Sequence, residues 1–147
     1  GEIMAKFKQD QIIAGVTKCR AQAIKVHVSE AISEGDILCL VGTDSGFISV
    51  GIADANVSAR TDGPMFIADY AAVAGAYTPV AVPWKVFTTT LTGGAVNNPV
   101  YLTDTGTTGN TLSASAGSNT RAVGRFLSTT GSASVALLYP GAGVAAI

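Results

Sequence analysis

The sequence predicts an all-β protein: a small antiparallel β-barrel or sandwich with at most one or two short helices. Short segments in which apolar and polar residues alternate recur along the chain, and turns rich in Gly, Ser, Thr and Asp separate them. Six or more short strands at near-regular spacing are typical of a barrel or sandwich. No internal repeat of fixed period is visible in the residues.

In the first part of the chain, the strand from Gln22 to Val28 shows the pattern most clearly, because Ile24, Val26 and Val28 share one side. Residues 29–35 favour a loop or a single helical turn, and residues 42–46 and 60–64 favour turns. Further strands are predicted over residues 36–41, 47–52, 65–68 and 80–87.

Two places in this region interrupt the strand pattern. Residues 69–76 begin with Asp69, a favourable N-cap, and are the best helix candidate in the chain. Pro83 lies inside the segment 80–87, in which Val82, Trp84 and Val86 alternate on one face. Since proline cannot donate to a β-ladder, this segment is expected to be an edge strand or to bulge at Pro83.

The C-terminal third predicts a series of antiparallel strands around a long loop rich in Thr, Gly and Asn. These strands are expected over residues 100–103, 111–115, 122–127 and 134–139. With 147 residues the chain has the size of one domain, and we expect an extended N-terminal arm over 1–20 and a single β domain over 21–147. The arm is basic, since residues 1–25 carry a local charge of +3, whereas residues 26–110 carry −6.

Composition argues against two classes of partner. Nine basic and ten acidic residues give a net charge of −1, so the chain has no electrostatic footprint for nucleic acid. No uninterrupted apolar stretch approaches the ~20 residues of a membrane-spanning helix, and no signal-peptide pattern is present. We therefore expect synthesis in the cytoplasm, no nucleic-acid partner and no membrane partner.

The residues also give little support to catalysis or to a cofactor. His27 is the only histidine, there is no G-x-S-x-G motif, and the glycines form no phosphate-binding loop. Most aspartates occupy expected turns and strand ends, where they cap the backbone. Cys19, Cys39 and His27 match no metal-binding spacing, and we expect free thiols. The prediction is a protein that is not an enzyme and has no metal or cofactor.

The low charge content points towards assembly. Only 13% of the residues are charged, about half of the ~25% usual for soluble domains, and mean hydropathy is +0.39. The low-charge stretches 70–84, 86–103 and 126–147 exceed what a small core hides. Neutral surface should therefore remain outside, and such patches usually mark interaction sites.

The order of segments after Gly93 resembles the head-decoration, or capsid cement, proteins of tailed bacteriophages. The resemblance lies in a Gly-containing turn leading to Val100-Tyr101, a Thr-rich strand, a Val-Gly-x-x-Leu strand and a final apolar strand. It covers about a third of the chain well, and the pieces 35–38 and 47–52 fit the opening hairpins more loosely. Residues 69–81 have no counterpart in the pattern. The segments concerned are 93–106, 111–115, 122–128 and 134–138.

This resemblance implies a small β-barrel or tulip domain. It also implies a virion structural protein on the outer capsid surface, commonly a homotrimer, which fastens neighbouring major capsid proteins and stabilises the mature head. The arm would reach across the lattice, with Phe7 as an apolar anchor and Lys6 and Lys8 facing acidic groups on an added strand. Alternatives are another phage assembly module, such as a head-fibre base or tail component, a carbohydrate-binding β domain, and a small-ligand barrel or hydrolase. The expected capsid contacts are Ala5, Lys6, Phe7, Lys8, Gln9, Ile12 and Ile13.

Overall fold

The computed structural model describes residues 22–129 and 133–143, and these form an all-β structure, as the sequence predicts. A closed five-stranded barrel is followed by a five-stranded sheet, and the helical content of the described residues is one turn of 3-10 helix at Ser58–Arg60. The barrel strands are β1 (Ile24–Val28), β2 (Ile37–Asp44), β3 (Phe47–Ile52), β4 (Met65–Ala68) and β5 (Tyr77–Val82). The sheet strands are β6 (Lys85–Thr89), β7 (Pro99–Thr107), β8 (Asn110–Ser113), β9 (Ala122–Thr129) and β10 (Ser134–Leu138).

The barrel has the strand order β1-β3-β2-β4-β5 and closes through β1 and β5. β1 and β3 are parallel, and the other neighbours are antiparallel. Closure leaves none of these strands with a free edge. The barrel interior is filled by small and branched side chains, which are Val26, Val28, Ile32, Leu38, Val50, Ile52, Ala68, Val80 and Ala81.

The barrel contains a structural repeat at a spacing of 40 residues, although no repeat of fixed period is visible in the sequence. The N–H of Gly35 donates to the carbonyl of Ala68 (2.9 Å), and the N–H of Gly75 donates to the carbonyl of Val28 (2.7 Å). Ile32 and Ala72, also 40 residues apart, exchange backbone hydrogen bonds of 3.0 and 3.1 Å. Gly35 and Gly75 have φ of 86° and 89°. β1 to β2 and β4 to β5 are thus equivalent halves.

The helix predicted at 69–76 is wrong. This segment is an irregular loop that repeats the conformation of residues 29–36, and its centre is fixed by the bridge between Ala72 and Ile32. The carboxylate of Asp69 accepts from Lys85 Nζ at 3.0 Å. Two turns of helix cannot supply the paired backbone groups that the barrel requires here, so tertiary pairing overrides local propensity.

The single strand predicted over 80–87 is divided in two. β5 ends at Val82 in the barrel, and β6 begins at Lys85 in the second sheet. Pro83 and Trp84 form the connection between them, so the alternating Val82, Trp84 and Val86 do not share one face. The missing N–H of proline is accommodated by ending the strand there, which replaces the expected edge strand or bulge.

The second sheet has the order β6-β10-β9-β7-β8 with antiparallel neighbours. β7 extends to Thr107, so the long loop expected before residue 111 is a short hairpin connection. The inner face of the sheet packs on the outer side of β2 and β4, where residues alternate with those that fill the barrel. This second core contains Ile37, Cys39, Met65 and Ile67 from the barrel, and Val100, Leu102, Val123, Phe126, Ala136 and Leu138 from the sheet.

A buried arginine just before β9 ties the connection between β3 and β4 to the residues that follow β10. Arg121 is 5% exposed, and its guanidinium donates to the carbonyls of Thr61 (2.7 Å), Gly63 (3.1 Å) and Pro140 (3.0 Å). Burial lowers the pKa of Arg121, yet the group keeps its charge because arginine is protonated far above neutral pH. These charge-assisted bonds compensate for the loss of hydration.

The 40-residue repeat supplies a matched test of packing between barrel and sheet. An alanine Cβ at Gly35 would lie 2.5 Å from the Phe87 ring, whereas at Gly75 nothing lies within 4 Å. Gly75→Ala is expected to lower the free energy of unfolding by about 1–2 kcal/mol, because φ is positive. Gly35→Ala should lower it by about 1–3 kcal/mol more through overpacking. Urea unfolding of both variants measures the difference, and equal losses would contradict the Gly35–Phe87 contact.

Candidate interaction surfaces

The seven capsid contacts expected from the sequence lie outside the described residues. They fall between residues 5 and 13, and the described residues begin at Gln22. The arm predicted over 1–20 lies in the same part of the chain. The described residues contribute other candidate surfaces, which are built from strands far apart in the sequence.

The outer face of the second sheet is a neutral surface that the strand pairing creates. Val86 of β6 lies opposite Leu137 of β10, and Thr88 lies opposite Val135. On its other side Val135 lies opposite Ser128 of β9, and Leu127 occupies the β-bulge between Phe126 and Ser128. The exposed fractions of Val86 and Leu127 are 53% and 48%. We call this surface the sheet face, which comprises Val86, Thr88, Pro99, Arg125, Leu127, Ser128, Val135 and Leu137.

Arg125 is the one charged residue of the sheet face. It pairs with Leu137 of β10 and with Pro99 of β7. Its guanidinium donates to the carbonyl of Asn97 at 2.7 Å, so the side chain already has an acceptor within its own subunit. Burying an unpaired charge at an interface is costly, and the sheet face avoids that cost over most of its area.

A serine, a histidine and an aspartate come together on the barrel, which the sequence analysis missed. Ser49 Oγ is hydrogen bonded to His27 Nδ1 at 2.8 Å, and His27 Nε2 lies 3.9 Å from an oxygen of Asp44. The cause is the parallel pairing of β1 and β3, which places His27 opposite Ser49. No local motif carries this signal, because the residues belong to three strands.

This constellation does not have the geometry of a hydrolytic triad. Ser49 is 5% exposed, so a substrate cannot reach its hydroxyl. The distance between His27 and Asp44 is longer than a hydrogen bond. The Asp44 carboxylate instead accepts from the hydroxyls of Tyr77 and Ser45, and these bonds lower its pKa. The cluster therefore anchors the β2–β3 hairpin.

Aromatic rings extend the same cluster onto the surface. The centroids of His27 and Tyr77 are 4.9 Å apart, and those of Phe47 and Tyr77 are 5.4 Å apart. Lys25 Nζ lies 5.3 Å from the centre of the Phe47 ring, a cation–π contact. Tyr77 is 42% exposed. The arrangement presents part of an aromatic face next to carboxylate, imidazole and ammonium groups.

A cavity of about 290 Å³ lies where the second sheet meets the barrel. Asp36 lies in its wall and is 2% exposed, and its carboxylate accepts from the N–H groups of Ser33 (2.8 Å) and Gly109 (3.0 Å). Burial raises the pKa of Asp36, and the two backbone hydrogen bonds oppose this shift. The carboxylate thereby joins the barrel loop to the β7–β8 hairpin.

The remaining candidates for chemistry are dispersed. Cys39 is buried, its thiol donates to the carbonyl of Ile52 (3.6 Å), and burial raises its pKa. Cys19 lies outside the described residues. Within residues 22–129 and 133–143, no three His, Cys, Asp or Glu side chains are grouped to hold a metal ion. In that same part of the chain, no helix has the length and apolar character needed to cross a membrane.

Comparison of the chain with protein families, with curated proteins and with solved structures finds no match in any of the three.

The buried Asp36 carboxylate predicts a specific dependence of stability on pH. Burial makes the pKa of Asp36 higher in the folded than in the unfolded protein, so the protonated carboxyl group stabilises the fold at low pH. This contribution to the free energy of unfolding is lost as pH rises from the ordinary aspartate pKa through the raised one. Relative to Asp36→Asn, the unmodified protein should lose stability as pH rises above the ordinary aspartate pKa of about 4. Urea unfolding of both proteins at pH values on either side of the ordinary aspartate pKa checks this prediction. The prediction is contradicted if the free energy of unfolding of the unmodified protein, relative to Asp36→Asn, stays constant or grows as pH rises.

Proposed function

We propose that this protein is a phage virion structural protein that binds the outer surface of the capsid and cements neighbouring major capsid proteins. The observation that carries the proposal is the sheet face, an exposed surface of Val, Leu, Thr, Ser and Pro side chains with a single arginine. Exposed neutral surface of this kind suits close packing against another protein. The segment resemblance found in the sequence supports the same function.

The proposed mode of binding is multivalent. The chain associates with itself, in the expected form as a homotrimer, and each copy presents one sheet face and one basic arm. Contacts of modest affinity suffice when several are made at once. The arm contacts the capsid through residues 5–13, and its segment 5–8 adds a strand to a capsid subunit, with Phe7 as the apolar anchor. The virion is the proposed location, and the role requires no catalysis, metal or cofactor.

A carbohydrate-binding β domain of a phage particle is the second candidate. The exposed Tyr77 favours it, because an aromatic ring beside Asp44 and Lys25 offers both a stacking surface and hydrogen-bonding groups. The two functions use different faces of the molecule. Substitution of Tyr77 by Ala would affect glycan binding and leave capsid binding unchanged.

Binding to expanded shells of the parent phage tests the proposal directly. The purified protein should co-sediment with the shells and raise the temperature at which they are disrupted, because it stabilises only the assembled state. Unexpanded shells serve as the control. A protein that binds no form of the shell would overturn the proposed function.

A matched pair of valine substitutions tests the sheet face. Val86→Lys places a charge in the proposed interface and is expected to weaken shell binding at least about tenfold, or about 1.4 kcal/mol. Val73→Lys makes the same change on the 69–76 loop, where the valine is 72% exposed, and should leave affinity unchanged. Sedimentation over a range of concentrations gives both affinities. Equal binding by the two variants would remove the sheet face from the interface.

The arm gives a separate prediction. Phe7→Asp should weaken shell binding because it replaces the apolar anchor with a charge of the same sign as the acidic groups that Lys6 and Lys8 are expected to meet. Phe7→Leu retains an apolar side chain and is the control. The same sedimentation measurement applies, and unchanged affinity of Phe7→Asp would place the arm outside the interface.

A further inference from the structure

The cavity between the barrel and the second sheet is built from three separate segments of the chain. It has a volume of about 290 Å³ and is lined by residues 34–36 of the barrel, by Phe87 with residues 89–92, and by residues 109–112. This volume lies at the lower end of the ~300–1,000 Å³ range of small-molecule sites. A ligand of this size has a single ring.

The two carboxylates in the cavity lining already have partners within the protein. Glu34 forms an ion pair with Lys85 at 3.4 Å. The buried Asp36 carboxylate accepts from the N–H groups of Ser33 and Gly109. The hydrogen bonds that remain for a ligand therefore come from uncharged groups, which favours a neutral ligand over an ion.

Uncharged hydrogen-bonding groups are present on both sides of the cavity. Thr89 is half-buried, and its hydroxyl oxygen accepts from the N–H of Leu91 at 3.1 Å. A hydroxyl also has one hydrogen to donate, and that of Thr89 has no acceptor among the described residues. Within the same residues, no hydrogen bond involves the side chain of Thr90 or Asn110. The lining thus offers hydroxyl and amide groups to a ligand.

Apolar side chains complete the lining. Phe87, Leu91 and Leu112 are half-buried and pack against the core cluster between the barrel and the sheet. The Phe87 ring is held at Gly35, where an added Cβ would lie 2.5 Å from it. Apolar side chains fixed by a core, together with a few polar groups, are typical of small-molecule sites. The combination fits a molecule that has both an apolar ring face and hydroxyl groups.

We propose that this cavity binds a neutral sugar ring. The C–H groups of the sugar pack against Phe87 and Leu91, and its hydroxyl groups exchange hydrogen bonds with Thr89, Thr90 and Asn110. The inference does not depend on the proposed binding to the capsid.

The proposed site is separate from the exposed aromatic surface at Tyr77. Tyr77 donates to Asp44 at the end of β2, whereas residues 34–36 of the cavity precede the start of that strand. The length of β2 places the two sites roughly 20 Å apart. Binding at one site can therefore be distinguished from binding at the other.

NMR titration of the full chain with the methyl glycosides of glucose, galactose, mannose and N-acetylglucosamine tests the proposal. The amide signals of residues 89–92 and 109–112 should shift with at least one of these sugars. A dissociation constant of about 1 mM is expected, because a ligand of this size makes few contacts. No shift in these segments at about 100 mM of any of the sugars would overturn the proposal. Shifts confined to Tyr77 and its neighbours would also overturn it.

Two neighbouring threonines supply matched variants. Thr89 lines the cavity, whereas Thr88 lies opposite Val135 on the sheet face. Thr89→Val removes one hydrogen bond to the sugar and should weaken its binding about tenfold. Thr88→Val makes the same change outside the cavity and should leave the affinity unchanged, and Thr89→Ser keeps a hydroxyl and should retain most of it. Equal affinities of the two valine variants would contradict the proposed site.

Asn110→Ala gives a second measurement that does not depend on Thr89→Val folding. Its side chain makes no hydrogen bond within the described residues, so the substitution leaves the backbone pairing of β8 in place. It should also weaken sugar binding about tenfold. The same titration measures this affinity, and unchanged binding by Asn110→Ala would overturn the proposal.

Discussion

The structure depends on strands that are buried on both faces. In β2, Leu38 fills the barrel while Ile37 and Cys39 pack against the second sheet. β4 is used in the same way, with Ile67 turned to the sheet. A strand buried on both sides needs a continuous apolar run rather than strict alternation. This constraint accounts for the apolar run Ile37–Cys39, whose side chains belong alternately to the two cores.

Local periodicity was sufficient to predict the class of the fold and the position of most strands. The alternation at Val26 and Val28 identifies the buried face of β1, and the residues around Ser45 identify the turn between β2 and β3. Local periodicity failed where a pairing partner distant in the sequence decides the conformation. Asp69 begins a good helical pattern, yet Ala72 has to pair with Ile32, and Pro83 separates two sheets that no local pattern distinguishes.

The candidate surfaces were less predictable than the strands. Alternation shows that Val86 and Leu137 face away from their own core, but only the pairing of β6 with β10 makes them neighbours. The same holds for Ser49 and His27, which meet through a parallel pair of strands. The expected capsid contacts between residues 5 and 13 follow from the family resemblance and lie outside the described residues.

The equivalence of the two barrel halves gives the barrel an internal two-fold relation. Each half supplies one side of the mutual bridge between Ile32 and Ala72, and each contributes one glycine of positive φ at the same point of the repeat. Reciprocal contacts of this kind are typical of two-fold symmetric dimers, in which the same surface of both copies meets. Here both partners belong to one chain, so the contact forms without an association step and does not depend on protein concentration.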